Sequence, residues 1–266
     1  MSALSERLAE IKSEGRAALM GYLPVGYPSV EGSIRAMVAM VEAGVDVVEV
    51  GIPYSDPVLD GAVIQQAAEA ALAAGTRVSD AFVAVEAIVA AGAPAVVMSY
   101  YNPMLQYGLE RFAADLAAAG GSGAITPDLT PDVGQAWIQA ATEKGLDRIF
   151  LVAPSSTPER LHMTVRASTG FVYAASLMGV TGERNAVGGA AEKLVARARE
   201  AGASMVCVGL GVSTGKQAAE VAAYADGVIV GSAFVRPLVD AVEAHAGIEA
   251  LKVKVGELAA GVRGRA

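Results

Sequence analysis

The segment VDVVEVGIPYSDPVLDG, residues 45–61, decides the fold. Its first part is rich in β-branched residues, which is typical of a strand buried on both faces. Gly51, Pro53 and Pro57 then end the strand and open a loop, before a helical pattern starts near Val63. This order of strand, loop and helix predicts one unit of a parallel α/β fold.

A carboxyl group near the end of this buried strand indicates a functional site. Glu49 lies among valines, where an ionised carboxylate is costly unless it is paired or protonated. The following loop adds Ser55, Asp56 and Asp60. An acid at a strand end, with others on the next loop, is typical of a two-carboxylate acid–base site on a barrel rim. The alternative is that Glu49 is a polar strand end that reaches solvent.

Strands and helices alternate along the whole sequence of 266 residues. About eight units in roughly 250 residues are usual for a (β/α)8 barrel. We therefore predict an α/β fold, a single TIM barrel covering residues 1–266, with an extra N-terminal helix over Ser5–Glu14. The predicted strands are Ala18–Leu23, Val45–Val50, Ala95–Tyr100, Ala124–Thr126, Arg148–Val152, Phe171–Ala174, Met205–Val208 and Gly227–Val230. The predicted helices between them include Val30–Ala43, Pro158–Ala167 and Glu192–Ala201, and Asn102-Pro103 is taken as the stop after the third strand.

A doubly wound open sheet is the second candidate fold. It requires a glycine-rich dinucleotide-binding motif after the first strand, and GYLPVG at residues 21–26 is not one.

Composition excludes several classes of protein. Hydrophobic residues make up 53% of the chain, enough for a large core, and the formal net charge of −8 argues against non-specific nucleic-acid binding. No apolar run approaches the length of a membrane span, and the charged N-terminal residues do not resemble a signal peptide. The single cysteine, Cys207, fits a reducing compartment. We expect a cytoplasmic protein that binds neither nucleic acid nor membrane.

The sequence offers no metal site. Its only histidines, His162 and His245, lie far apart in helical patterns without the spacing of metal ligands.

Glycine clusters follow the last three predicted strands, at residues 179–182, 209–213 and 231–233. Glycine lets the backbone approach a ligand closely and leaves N–H groups free to point at it. Gly231 and Ser232 also precede a possible short helix, Ala233–Val235, whose N-terminus would favour an anion. Late loops of this kind commonly bind phosphate in these barrels. The alternative is that the glycines only form tight turns.

No predicted strand ends in lysine, which a Schiff-base aldolase needs. Any carbon–carbon cleavage would therefore proceed by acid–base catalysis.

The segment from Glu49 to Gly61 closely resembles the signature of the tryptophan synthase alpha chain family. The resemblance covers essentially the whole chain. Further matching motifs are Gly26-Tyr27-Pro28, Tyr100-Tyr101-Asn102-Pro103, Pro127-Asp128-Leu129 and the three late glycine clusters.

The resemblance implies reversible retro-aldol cleavage of indole-3-glycerol phosphate to indole and glyceraldehyde 3-phosphate. Glu49 would protonate indole C3, and Asp60 would accept the indole N–H. Tyr173 matches a tyrosine near the glyceryl chain, although an aromatic residue in a strand is more often part of a core.

Other site residues are implied by the same resemblance. The phosphate would be bound by Gly182, Gly211, Gly231 and Ser232. The indole pocket would contain Tyr22, Met98, Ile125 and Leu210. Thr181 would hydrogen-bond Asp60 when a loop closes over bound ligand.

The environments of the two acids agree with these roles. Burial among valines is expected to raise the pKa of Glu49 towards neutrality, so that it can act as acid and base in one cycle. Asp60 lies on a more polar loop and is expected to stay ionised, which gives the two carboxyl groups different tasks.

The resemblance also implies a partner, the tryptophan synthase beta chain, in an alpha2–beta2 complex. Pyridoxal phosphate would lie in that partner, with no cofactor in this chain. The expected contact surface is formed by Pro53–Asp60 and Asn102–Tyr107. Three alternatives remain open: a free-standing lyase that releases indole, another barrel enzyme acting on a phosphorylated sugar, and a catalytically silent binding subunit.

Overall fold

The computed structural model describes residues 2–175, 184–209 and 211–264, except for the side chains of residues 184–188. Thr181, Gly182 and Leu210 therefore lie outside the described residues.

Eight parallel strands form a closed barrel in chain order, with β8 pairing back to β1. This confirms the predicted (β/α)8 barrel and excludes the open sheet. The strands are β1 Ala18–Pro24, β2 Val47–Gly51, β3 Ala95–Met98, β4 Gly123–Thr126, β5 Asp147–Val152, β6 Val172–Ala175, β7 Val206–Gly209 and β8 Gly227–Val230.

Helices connect the strands and surround the barrel. Those in the described residues are α1 Ala3–Ser13, α2 Val30–Ala43, α3 Ala62–Ala73, α4 Val78–Ala90, α5 Tyr101–Tyr107, α6 Leu109–Ala118, α7 Gln135–Glu143, α8 Pro158–Ala167, α9 Arg184–Glu200, α10 Gly215–Ala222, α11 Ser232–Asp240 and α12 Ala244–Val262.

The sequence-based element prediction was wrong or incomplete at three helices. It did not predict α5, because Pro103 was taken only as a stop signal; in the first turn, proline is tolerated since that N–H has no partner within the helix. Helix α11 has nine residues rather than three and continues past Pro237. Helix α9 begins eight residues before the predicted Glu192, through a glycine-containing turn of low helix propensity.

Alternate residues of each strand point into the barrel. The inward-pointing residues Met20, Val47, Val96 and Cys207 belong to one apolar cluster with Leu4, Leu8 and Ile11 of α1. The predicted N-terminal helix thus covers the amino ends of the strands. The outward-pointing residues pack against the surrounding helices in a second, larger cluster.

A buried carboxylate fastens α1 to this end of the barrel. Asp46 accepts hydrogen bonds from Arg16 at 2.8 and 3.0 Å, from Arg7 of α1 at 3.0 Å and from the Leu19 amide at 3.0 Å. Burial by itself would raise the pKa of Asp46, but the bonds from Arg16 and Leu19 outweigh it and lower the pKa. The loops that carry the candidate site lie at the opposite end of the barrel, where the strands have their carboxyl ends.

Candidate active site

Glu49 lies inside the barrel, near the carboxyl end of β2. It follows the inward-pointing Val47 by two residues, and it is level with Tyr22 on β1 and Val96 on β3. The side chain has no exposed surface, and neither carboxyl oxygen has a hydrogen-bond partner among the described residues. Glu49 is therefore not a strand end that reaches solvent.

Burial raises the pKa of the Glu49 carboxyl to about 8. The cause is the loss of hydration, which disfavours the charged form in an apolar setting. At neutral pH the group holds its proton, and it can release and regain that proton close to physiological pH. This agrees with the pKa expected from the valine-rich sequence.

Asp60 lies on the loop between β2 and α3 and is half-buried. Burial raises its pKa, while a hydrogen bond from the Tyr100 hydroxyl acts in the opposite direction. The loop is thus less polar than the sequence suggested, because burial removes part of the hydration of the Asp60 carboxyl. Asp60 still differs from Glu49 in having a hydrogen-bond donor, so its ionised form is better stabilised.

Two tyrosines point into the barrel beside these acids. Glycines make room for both: a Cβ at Gly51 would collide with the Tyr22 hydroxyl, and one at Gly209 would collide with the Tyr173 hydroxyl. Burial raises the pKa of both phenols, and the charges of Glu49 and Asp60 raise each of them further. Both carboxyl groups therefore lie near enough to both tyrosines to affect their ionisation.

Met98 and Ile125 form the apolar side of this site. They are register partners on β3 and β4, and they lie in the same cluster as Tyr173. Ile125 has no exposed surface, whereas Met98 is half-buried. The pair presents an apolar surface suited to a flat aromatic ring.

The start of α11 lies beside the loop that carries Asp60. Gly211 has φ +72°, which favours glycine. A Cβ at Gly231 would lie 3.6 Å from the Tyr22 ring, and one at Gly61 would lie 3.7 Å from the Ser232 hydroxyl. The N-terminus of the nine-residue helix α11, which favours anions, thus faces both Tyr22 and the loop of Asp60.

Residues 8–263 match the family model described as "Tryptophan synthase alpha chain". The chain belongs to the tryptophan synthase alpha chain family.

Curated and solved members of this family align with the whole chain. The tryptophan synthase alpha chain of Thermobifida fusca (strain YX) is 58% identical, with full coverage of both chains. That of Mycobacterium marinum is 61% identical over 96% of this chain and 92% of the relative. An aminoacrylate-bound crystal structure of tryptophan synthase from M. tuberculosis superimposes with a TM-score of 0.90 at 55% identity, covering 99% of this chain and all of that one.

More distant members of the tryptophan synthase alpha chain family keep the same barrel. The alpha subunit from Legionella pneumophila str. Paris is 29% identical, yet it superimposes with a TM-score of 0.90 over 99% of both chains.

Sequence analysis of this alpha-chain family member missed one residue of the site, Tyr100. Its side chain is 5% exposed, and its hydroxyl accepts a hydrogen bond from the Leu59 amide at 3.0 Å. A polar aromatic residue at a strand end was the available signal, since its position after β3 predicts a place on the barrel rim. Its contact with a loop 41 residues away could not be read from spacing.

No three His, Cys, Asp or Glu side chains come together as possible metal ligands in the described part of the chain. Within the same residues, no helix has the length and apolar character needed to cross a bilayer.

Proposed function

We propose that Glu49 and Asp60 together perform the reaction of this family, cleavage of indole-3-glycerol phosphate to indole and glyceraldehyde 3-phosphate in tryptophan biosynthesis. The observation that carries the proposal is a fully buried carboxyl group without a hydrogen-bond partner among the described residues, with a half-buried second acid on the loop that follows the same strand. Such a pair supplies one proton donor and one stabilising carboxylate.

In the first step, the neutral Glu49 carboxyl gives its proton to indole C3. The ring nitrogen becomes positively charged, and Asp60 accepts the N–H and stabilises that charge. The ring is then an electron sink, as a carbon–carbon cleavage without a Schiff base requires.

In the second step, the Glu49 carboxylate takes the proton of the glyceryl hydroxyl next to the ring. The O–H electrons form the aldehyde, the bond from that carbon to C3 breaks, and its electron pair restores the neutral indole. Glu49 thus regains its proton, and acid and base catalysis come from one group whose pKa of about 8 is suited to both. We propose that Tyr173, which lies inside the barrel on β6, contacts the glyceryl chain.

The phosphate binds opposite the acids in this proposal. The N-terminus of α11, with Gly231 and Ser232, offers amide N–H groups and a favourable dipole. Gly211 lets the β7 loop approach the anion closely. Gly182 completes the set by family resemblance and lies outside the described residues.

These proton transfers need no cofactor in this chain. We place pyridoxal phosphate in the beta chain that family membership implies, and we propose a cytoplasmic alpha2–beta2 complex. The single cysteine, Cys207, is buried and unpaired, which fits a reducing compartment.

The proposed surface for the beta chain is the loop end of the barrel around the site. Exposed apolar side chains occur here on three successive loops: Val58 and Leu59 after β2, Leu105 on α5, and Val133 after β4. Exposed large apolar side chains at one end of a barrel are suited to contact with another protein. The surface includes both predicted contact segments and adds Val133.

An indole-release assay with and without beta chain tests this function. We expect indole from indole-3-glycerol phosphate in both cases and faster release with the beta chain. Glu49→Gln should abolish release while the variant still folds and binds substrate. Full activity of Glu49→Gln would refute the assignment. A rate that does not respond to beta chain would instead favour the free-standing lyase, and absence of cleavage would favour a silent binding subunit.

A further inference from the structure

The side chain of Tyr100 connects β3 to the loop that carries Asp60. Its hydroxyl accepts the hydrogen bond from the amide of Leu59, the residue directly before Asp60. A phenol oxygen that accepts one hydrogen bond still has its own proton to donate. Asp60 follows Leu59 directly, and the Tyr100 hydroxyl lowers the pKa of its carboxyl against the effect of burial.

Two contacts hold Tyr100 in place. Its ring packs against Tyr54 with centroids 5.2 Å apart and a tilt of 32°. The next residue, Tyr101, is the first of α5, and its amide donates to both carboxyl oxygens of Asp128 at 2.9 and 3.2 Å. Asp128 follows β4, so neighbouring strands fix the position of the hydroxyl from two sides.

We propose that Tyr100 is a positioning residue that holds the carboxylate of Asp60 where the indole N–H arrives. This rests on the proposed function, in which Asp60 accepts that N–H. The hydroxyl holds the loop through the Leu59 amide, and its own proton remains available to the Asp60 carboxylate. Without it, the half-buried acid keeps the cost of burial and loses its donor, so its pKa rises.

The experiment compares Tyr100→Phe with the wild-type full-length chain in indole-3-glycerol phosphate cleavage across pH. We expect kcat/KM below neutral pH to fall about tenfold, equivalent to about 1.4 kcal/mol. The acid limb of the profile, where kcat/KM falls as pH is lowered, should move to higher pH. The other titratable groups that face Asp60 and Tyr100 in the described residues are unchanged in this variant: Tyr22 on β1, Glu49 on β2, Asp128 after β4 and Tyr173 on β6.

Tyr54→Phe is the matched control. It removes a hydroxyl from the ring that packs on Tyr100 and leaves the bond to Leu59 intact. We expect its acid limb to stay at the wild-type pH. The same position of the acid limb in Tyr100→Phe would overturn the proposal, even if that variant were less stable.

A double-mutant cycle with Asp60→Asn separates this proposal from the function on which it rests. If Tyr100 acts through Asp60, adding Tyr100→Phe to Asp60→Asn causes little further loss of kcat/KM. Fully additive losses would refute the positioning role and leave the role of Asp60 intact. Wild-type turnover of Asp60→Asn alone would instead refute the proposed function.

The hydrogen bonds from the Tyr101 amide to Asp128 allow a second test of the positioning role. Asp128→Ala removes the acceptor of the Tyr101 amide and should move the acid limb as Tyr100→Phe does. Asp128→Asn keeps an acceptor at a helix N-terminus and should restore the wild-type profile. Identical profiles for Ala and Asn would show that Asp128 does not set the position of Tyr100.

Discussion

Replacing Glu49 by Gln tests whether the carboxyl inside the barrel is neutral in the folded protein. Gln has nearly the same shape and carries no charge at any pH, so only the ionisation is removed. Glu49 is fully buried, with no hydrogen-bond partner among the described residues for either oxygen. No described hydrogen-bond partner stabilises the charged form of the carboxyl. Ionisation of Glu49 at high pH therefore lowers the free energy of unfolding.

The sign and size of the effect follow from the pKa in each state. The unfolded chain releases the proton near pH 4.5, whereas the folded protein holds it to about pH 8. Between these values the folded state binds more protons, so the free energy of unfolding falls as pH rises. At about 1.4 kcal/mol per pH unit, the contribution lost between the two pKa values is about 5 kcal/mol.

The assay is urea unfolding of both proteins at several pH values between about 5 and 9. Subtracting the Glu49→Gln values from those of the wild type cancels the other titrating groups. We expect this difference to fall with pH and to level off above about pH 8. The control is Glu86→Gln on the exposed face of α4, which removes a carboxyl group at the surface and leaves the barrel interior unchanged. A Glu49 difference curve independent of pH would refute a buried neutral acid.

The other three predictions concern turnover, its pH dependence and the space beside Gly51. Asp60→Asn should lower the rate of indole release by about 100-fold or more, because a stabilising group at the developing charge contributes this much; a rate near wild type would mean that the indole nitrogen is bound elsewhere. Wild-type turnover should decline above about pH 8 as Glu49 loses its proton, and a rate still rising at about pH 9 would contradict this. Gly51→Ala should raise KM, because the new methyl group displaces Tyr22 towards the substrate. Gly256→Ala, with open space around its Cβ, is the matched control for that measurement.

Helix and strand bounds were predictable where local signals are strong. Val30–Ala43, Pro158–Ala167 and Gly227–Val230 have the same bounds in the prediction and in the structure. Each of the two helices begins after a capping side chain, Ser29 or Thr157. The first ends at Gly44 with φ +115°. Helix α5 was not predicted, because its N-terminal cap comes from the distant Asp128 rather than from its own sequence.

Glu49 was predictable as a buried carboxyl because such a group inside a valine-rich strand conflicts with local burial, whereas Asp60 was selected from its loop by family resemblance. Such a conflict marks a functional position within a few residues of sequence. The raised pKa of Asp60 was not predictable, since it depends on the burial of the loop in the folded barrel, against which the Tyr100 hydroxyl lowers the pKa.

The sequence by itself determined the number of strands, their parallel arrangement and the presence of a carboxyl group, Glu49, inside the second strand. These follow from hydrophobic periodicity, turn residues and an acidic residue within a valine-rich strand, and each of these signals lies within a short stretch of chain. Only the tertiary structure decided what surrounds Glu49 and Asp60. The closed barrel brings Tyr100 to Leu59, 41 residues away, and the start of α11 to the loop of Asp60. Protonation and positioning depend on such neighbours, because burial and hydrogen bonds act through space and not along the chain.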